Sequence, residues 1–323
     1  MSHATVVVSG TKIADEIGTS RSEVWRLIQQ LRSLGVDVAG HSATGYQLRT
    51  VPDLLLPEML APSLKATIFG AQSGKQIHHF YKIGSTNSEA MQSAAEGAPE
   101  GSVFLAEEQV AGRGRGAHTW HSARSSGIYC SVILRPAMPP SDALIFSLAA
   151  GLAVRGAVTE IAPQLSVDLK WPNDLLLGGK KFCGILAEMN AEATRVRHLV
   201  VGIGINVNQV KFPAELREVA TSLRMETGTE WSRVELCAAL LKSLDREYRG
   251  LIENAGARGS ILRRFEESSS SVRGRKVSIK ISDDDNATLA GITEGLDERG
   301  FLRVRTAEGV SPVLSGTVSI AGD

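Results

Sequence analysis

Gln109-Val110-Ala111-Gly112-Arg113-Gly114-Arg115-Gly116 is the stretch of this 323-residue chain on which the rest of the reading turns. Glycines let a backbone approach an anion closely, and their N–H groups can form an anion-binding nest. The arginines between them add fixed positive charge and planar donors that match a carboxylate or a phosphate. A loop so composed suits two anions side by side, a nucleotide phosphate and a carboxylate. On glycine and arginine alone a flexible basic surface loop reads equally well. It is not a Walker loop, because no Gly-Lys-Ser/Thr follows.

Four further stretches flank it. Gly84-Ser85-Thr86-Asn87 precedes a helical pattern, where Ser85 or Thr86 would cap the helix, and such residues also bind small polar ligand groups. Lys170-Trp171-Pro172-Asn173-Asp174 closes an alternating run, Val167 to Trp171. Asn173 and Asp174 offer oxygens to a hydrated magnesium ion, although Pro-Asn-Asp is also a common turn. Gly179-Lys180-Lys181-Phe182-Cys183-Gly184-Ile185-Leu186 reads as a hairpin turn with paired lysines leading into a buried strand. One lysine could reach a transferring phosphate, or both could simply be solvated. Gly202-Ile203-Gly204-Ile205-Asn206-Val207-Asn208 lacks the third glycine and the following helix of a dinucleotide loop, so a Rossmann reading is rejected.

Around these motifs, helical and strand patterns alternate from about Ser63 to Ser268, which argues for a mixed α/β domain. Asp142 to Ile161 is a helix ended by Pro163. Ser232-Arg233-Val234-Glu235 is a capping box before Leu236, Leu240, Leu241 and Leu244 at core spacing. Beyond the polar break Ser268 to Ser271, the runs Lys276 to Ile281, Ala287 to Ile292, Phe301 to Arg305 and Val313 to Ile320 are strand-like. Turn signals at Asp283 to Asn286 and Glu298 to Gly300 separate them, as in a small barrel. Thr50 to Pro62, with Pro52, Pro57 and Pro62, reads as a linker that cannot sustain a helix throughout.

At the other end, Lys12 to Ile17 forms a short helix with Ile13 and Ile17 on one face. The turn Gly18-Thr19-Ser20 leads to a second helix opened by the capping box Ser20-Arg21-Ser22-Glu23. Val24, Ile28, Leu31 and Leu34 give it a core face, and Gly35 stops it. Val36 to Val38 and Tyr46 to Leu48 then form a strand pair. This is the outline of a winged helix-turn-helix. Ser20, Arg21, Ser22, Trp25, Arg26, Gln29 and Arg32 are the side chains offered to phosphates and base edges. A small helical cap that touches no DNA fits the same pattern, since Met1 to Thr50 holds five Lys/Arg against four Asp/Glu.

Composition narrows the class. Lys+Arg and Asp+Glu are both 35, so no global field points to nucleic acid or membrane. Cys130, Cys183 and Cys237 are odd in number and far apart, which fits small buried hydrophobes in a reducing cytoplasm. There is no basic-then-apolar leader, and Ala143 to Val154 is too short and interrupted to span a bilayer. A soluble, cytoplasmic protein is expected.

In this order, G-S-T-N, Q-x-A-G-R-G-R, K-W-P-N-D, K-x-x-G-I-L and G-x-G-I-N-x-N resemble the biotin protein ligase family in its two-function, ligase and biotin-operon repressor form, from about Ser9 to Ile320. The resemblance implies three domains. These are a winged helix-turn-helix over 1–60, an α/β (α+β) ligase domain over 63–270, and an SH3-like β-barrel over 271–323. It implies a ligase that makes biotinyl-5′-adenylate from biotin and Mg·ATP and passes biotin to a lysine of the biotin carboxyl carrier protein of acetyl-CoA carboxylase. Arg115 and Lys181 would be catalytic. Ser85, Thr86, Asn87, Gln109, Arg113, Gly114, Arg115 and Lys181 would bind biotin. Gly112, Arg113, Arg115, Trp120, Lys170, Asn173 and Asn206 would bind the nucleotide, Trp120 stacking on adenine, and Asn173 and Asp174 would hold the metal. The N-terminal helices would bind biotin-operon DNA, as a homodimer once adenylate is bound. Two positions depart from the family pattern. Ala117 stands where another glycine is usual, and only Met1 to Val8 precede Ser9-Gly10 where a complete helix is usual. The second departure leaves a ligase with a vestigial N-terminal domain as the alternative. A lipoate-type ligase would not carry the G-R-G-R loop, and a purely regulatory sensor would not need Arg115 and Lys181 together.

Overall fold

Two serine hydroxyls start the first two helices. Ser9 Oγ accepts from Lys12 N at 3.1 Å and opens α1 (Gly10–Glu16). Ser20 Oγ accepts from Glu23 N at 3.2 Å and opens α2 (Arg21–Ser33). The second half of the capping box does not form, because the Glu23 carboxylate takes Arg26 at 2.9 and 2.6 Å instead. A two-stranded antiparallel wing follows, β1 (Val38–His41) and β2 (Gly45–Leu48). Val8 exchanges both backbone hydrogen bonds with Tyr46 at 2.8 Å, so the Val6-Val7-Val8 run contributes one bridge to the wing. Two expectations shift here. Ile17 is the C-cap residue of α1 and 54 % exposed, because Gly18 at φ 66° turns the chain there, and Ala14 is the buried residue of α1. The first wing strand begins at Val38 rather than Val36, and both valines point into the small core.

This computed structural model describes residues 6–33, 36–41, 44–49, 53–70, 76–116, 118–254, 256–280 and 288–320. The sequence readings at Leu34, Gly35, Ala117, Asp283 to Ala287 and Thr50 to Pro52 lie outside the described residues. Contacts divide the chain into two compact units, Met1–Leu54 and Leu55–Asp323.

The second unit opens with α3 (Pro57–Leu64), where the sequence suggested only linker. Pro57 sits in the first turn, where a missing N–H costs nothing. Leu60 and Leu64 are fully buried, and that burial outweighs the interior Pro62. Then come β3 (Ile77–Phe80), α4 (Thr86–Ala95), β4 (Val103–Ala106), β5 (Gly127–Leu134), α5 (Leu144–Ile161), β6 (Asp168–Lys170), β7 (Asp174–Leu177), β8 (Lys180–Ala191) and β9 (Val196–Asn206). The seven strands order as β3-β4-β5-β9-β8-β7-β6, with β3 and β4 parallel and every other pair antiparallel. Helices α6 (Leu223–Thr227), α7 (Arg233–Glu253) and α8 (Ala257–Glu267) follow, Ser232 Oγ capping α7 at Glu235 N as the sequence indicates.

Alternation along the strands assigns the two sheet faces. Ile128, Cys130, Val132, Ile185, Val201 and Ile203 share one core with the inner faces of α5 and α7. Phe104, Ile133 and Val200 face the other way and bury against Ala90 and Ala94 of α4. The apolar segment Pro140–Ile161 is longer than Ala143 to Val154 and passes a length-and-composition test for a membrane span. However, two-thirds of its most apolar stretch is buried within the protein, the behaviour of a core helix.

The C-terminal strands β10 (Arg273–Lys280), β11 (Thr288–Leu296), β12 (Leu302–Thr306), β13 (Gly309–Val313) and β14 (Thr317–Ile320) form an antiparallel sheet ordered β13-β12-β11-β10-β14. The run Val313 to Ile320, read as one strand, is two, with Gly316 (φ 146°) between them. Pro312 is tolerated because β13 is an edge strand. Val277, Ile279, Leu302 and Val304 join the same core as the seven-stranded sheet. Trp171 Nε1 donates to Gly300 O at 2.9 Å, so the tryptophan of K-W-P-N-D anchors the two sheets together.

Candidate active site

Three glycines make the floor of the site. On the α4-facing side, Gly184 of β8 pairs with Gly204 of β9, and Leu186 pairs with Gly202. A methyl group on Gly204 would meet the Trp120 indole at 2.5–3.0 Å, and one on Gly184 would meet it at 2.9 Å. A methyl on Gly202 would overlap the Asn87 carboxamide. The G-x-G-I-N-x-N stretch is therefore a central antiparallel strand stripped of side chains where two other residues must lie flat. Trp120 lies on the Gly184–Gly204 row, with Lys181 Nζ 5.5 Å from its ring centroid.

The G-R-G-R loop folds over this floor. Trp120 N donates to Gly112 O at 2.9 Å, Gly114 N to His118 O at 2.8 Å, and Arg113 bridges Thr119. Gly112 has no room for a side chain, since a Cβ would stand 2.5 Å from Trp120 O. Gly116 takes φ 59°, which favours glycine. The cavity so enclosed has a volume of about 250 Å³. Ser85, Thr86, Asn87, Gln109, Arg113, Gly114, Arg115, Trp120, Lys170, Asn173, Asp174 and Lys181 all line it. Two expected nucleotide residues do not. Gly112 lies behind the loop, and Asn206 is buried, donating to Thr221 O at 3.0 Å and accepting from Gln209 at 3.2 Å.

At one end the polar groups form a relay. Ser85 caps α4 through Ser88 N at 3.4 Å, placing Thr86 and Asn87 at the helix start. Gln109 Oε1 accepts from Thr86 N at 2.8 Å and from Thr86 Oγ1 at 3.1 Å. Gln109 Nε2 donates to Ser122 Oγ at 2.9 Å, and Ser122 Oγ to Trp120 O at 3.3 Å. The fully buried Ser131 hydroxyl lies 2.8 Å from Thr86 Oγ1 and 2.7 Å from Asn87 Oδ1. Asn87 Nδ2 donates to Glu188 Oε2 at 2.9 Å, and Glu188 takes both terminal nitrogens of Arg113 at 2.9 and 2.7 Å. The bonds run from Arg113 through β8, α4 and β5 back to Trp120, seven residues on in the same loop.

The other end is cationic. Lys181 Nζ lies 2.6 Å from Asp174 Oδ1, and Arg115 Nη1 donates to Asn173 Oδ1 at 3.2 Å. Asn173 is fixed in turn by Nδ2 donating to Ile185 O at 2.9 Å. Gly316, Thr317 and Val318 of the C-terminal sheet close the wall, and Arg115 also reaches Gly316 O. Four cationic side chains, Arg113, Arg115, Lys170 and Lys181, line the cavity against one carboxylate, Asp174. That surplus suits a pair of anions. No thiolate is available, because burial pushes the Cys130 and Cys183 thiols well above their usual range.

Sequence reasoning missed Ser131, Ser122, Glu188 and the C-terminal wall. A lone serine inside the apolar run Gly127 to Leu134 signals Ser131. Glu188, four residues beyond Gly184, lies in phase with it on the same strand face. Outside the cavity lining, Glu107 is buried and accepts from Leu55 N at 3.0 Å, His79 Nε2 at 3.1 Å and Arg233 Nη1 at 2.8 Å. Burial works to raise its pKa, but the His79 and Arg233 contacts and the Leu55 N–H win and hold it down at about 2.

In the first unit, α2 and the wing border a groove of about 750 Å³ lined by Arg21, Ser22, Trp25, Gln29 and Arg32 with His41 and Tyr46. Trp25 is 58 % exposed. Ser20 and Arg26 do not line the groove: the first is the helix cap, and the second is paired with Glu23.

Residues 80–206 match the Biotin/lipoate A/B protein ligase family, residues 2–47 an HTH domain, and residues 274–320 the Biotin protein ligase C terminal domain. The chain is similar to the Bifunctional ligase/repressor BirA of Bacillus spizizenii, 36 % identical across 97 % of this chain and 94 % of that one. It is 29 % identical to the protein of the same name from Escherichia coli, across 97 % and 92 %. The solved biotin protein ligase from Aquifex aeolicus in complex with biotin and ATP superposes with a TM-score of 0.64. The identity is 29 %, over 76 % of this chain and 98 % of that one.

Proposed function

The chain belongs to the biotin protein ligase family, and from that membership we propose the reaction its cavity serves. It activates biotin with ATP to biotinyl-5′-adenylate and transfers biotin to one lysine of a biotin carboxyl-carrier domain. One observation carries this reading: a hydroxyl and carboxamide pocket and a cluster of four cations meet over one glycine floor.

The physical obstacle to adenylation is that a carboxylate must attack a phosphorus bearing charge of its own sign. Cations that neutralise both partners without blocking the line of approach lower that barrier. Thr86, Asn87, Gln109 and Ser131 fit the polar ring of biotin, whose carboxyl tail then runs past Trp120 toward Lys181. Successive rows of the floor are about 7 Å apart, so the ring and the reacting carboxyl have separate places. Lys181 stands between Trp120 and Asp174, within reach of a carboxylate oxygen and an α-phosphate oxygen together. Arg115, held at the K-W-P-N-D turn by Asn173, supplies the second phosphate contact. Trp120 and the Gly316–Val318 wall bound the space for the base. No protein nucleophile is needed, because the adenylate is itself the activated acyl donor.

Magnesium would enter this site as an ion carried by the nucleotide. Among the described residues no group of three or more His, Cys, Asp or Glu side chains forms a cage. Asp174 and Asn173 would hold the ion on the protein side, and it would offset phosphate charge.

The helix-turn-helix unit supports a second role, repression of the biotin operon through the α2 groove. Palindromic operators suit paired units, so adenylate-promoted homodimerisation belongs to the proposal, as does a cytoplasmic location consistent with three buried cysteines that form no disulfide. Incubating the purified protein with ATP and either biotin or lipoate, and measuring pyrophosphate release, tests the enzymatic reading. Release with biotin alone supports it; release with lipoate alone would overturn it.

A further inference from the structure

A carboxylate at the edge of an anion-binding cavity, paired with side chains that line it, weakens that cavity unless it does something there. Glu188 is such a group. It follows Gly184 and Leu186 in phase on β8, so its side chain rises from the same face as the cavity floor. It does not neutralise the cluster at the reacting end, where Lys181 has Asp174 and Arg115 has Asn173. Its two oxygens instead take both terminal nitrogens of Arg113, at 2.7 and 2.9 Å, in the parallel fork geometry that fixes a guanidinium in orientation as well as position. The same Oε2 accepts from Asn87 Nδ2 at 2.9 Å. Arg113 belongs to the loop and Asn87 to the start of α4, and Glu188 is the group both share. The floor row at Glu188 and Val200 is one step beyond the Leu186–Gly202 row under Asn87, on the side away from Lys181.

We propose that Glu188 is a positioning residue for biotin: its carboxylate joins Arg113 and Asn87 into one unit. The G-R-G-R loop is thereby seated over the biotin pocket before the substrate arrives. Glu188 acts through those two side chains and not on the phosphoryl chemistry at Arg115 and Lys181. This rests on the ligase reading and deepens it.

The test is steady-state adenylate formation by the full chain, varying biotin and ATP separately, for wild type, Glu188→Gln, Glu188→Asp, Arg113→Met and the Glu188→Gln/Arg113→Met double variant. Gln keeps the size of Glu188 but loses the charge-assisted fork. The KM for biotin is expected to rise about tenfold in Glu188→Gln, with kcat and the KM for ATP within about twofold of wild type. Glu188→Asp, which keeps the charge on a shorter arm, recovers part of the loss. In the Arg113→Met background, Glu188→Gln adds less than about twofold, because the link from Asn87 to the loop is already broken and a glutamine oxygen still accepts from Asn87. A fall in kcat at unchanged biotin KM would overturn the proposal. So would a lower biotin KM in Glu188→Gln, which would make Glu188 a competitor of the ligand, or full multiplication of the two single effects. A wild-type protein that releases no pyrophosphate with biotin removes the ligase reading and this proposal with it. An active wild type with unaltered Glu188 variants removes this proposal alone.

Discussion

Replacing Gly202 with alanine places a methyl group where the Asn87 carboxamide now lies. The β9 backbone beneath cannot yield, because Gly202 is paired on one side with Ser131 and on the other with Leu186. Asn87 must therefore swing out. In doing so it loses the contacts to Ser131 at 2.7 Å, Glu188 at 2.9 Å and Leu186 O at 3.3 Å. At about 1 kcal/mol net for each bond, the loss is about 3 kcal/mol. That corresponds to roughly a hundredfold in an equilibrium constant. Part of it falls on folding and part on the pocket, so the expected rise in the KM for biotin is between about tenfold and a hundredfold, with a measurable drop in Tm. The assay is biotin-dependent pyrophosphate release with parallel thermal unfolding. Adding Asn87→Ala removes the group that the methyl displaces. Once the carboxamide is gone the methyl has space, so Gly202→Ala/Asn87→Ala should match Asn87→Ala to within about 0.5 kcal/mol. If Gly202→Ala changes neither KM nor Tm, or if the two substitutions add in full, the floor does not hold Asn87 as described.

Other outcomes follow from the same geometry. Lys181→Ala and Arg115→Ala each lower the rate of adenylate formation at least about a hundredfold while circular dichroism and Tm stay near wild type; normal turnover in either would remove the roles assigned to them. Arg233→Met leaves the Glu107 carboxylate buried without its cation and destabilises the protein by about 3–5 kcal/mol, read as a lower denaturant midpoint. Because Glu107 is held at about 2, below the ordinary carboxylate value of 4.5, its contribution is complete above pH 4.5 and is lost as the pH falls toward 2. A wild-type stability curve flat across that interval would contradict it. Arg21→Ala and Gln29→Ala weaken binding to operator DNA, Arg21→Ala also reducing the dependence on salt, while biotin transfer continues; unaltered binding isotherms would place the DNA contact elsewhere.

Much of this was legible in the residues because the relevant physics is local. Capping serines at Ser20, Ser85 and Ser232 and the glycine-arginine loop announce themselves within a few positions. The polar strip Ser85 to Asn87 and the cations of the loop and hairpin do line one cavity, as their order along the chain suggested. The failures came from pairing across long separations. α3 forms despite the interior Pro62 because Leu60 and Leu64 find partners far along the chain. Asn206 sits in a strong motif yet bonds to Thr221 and Gln209 rather than facing the cavity. Glu188 and Ser131 gain meaning only when β8, β9 and β5 are laid side by side, and register of that kind is not written in any one segment. The same holds for the C-terminal sheet, whose Gly316 to Val318 complete a wall begun some two hundred residues earlier.

The most direct test of the central claim is intact-mass analysis of a biotin carboxyl-carrier domain after incubation with the purified protein, biotin and Mg·ATP. Addition of one biotinyl group to a single lysine, dependent on ATP and abolished in Lys181→Ala, is the predicted result. A carrier of unchanged mass, from a folded protein that binds biotin and ATP, would contradict it.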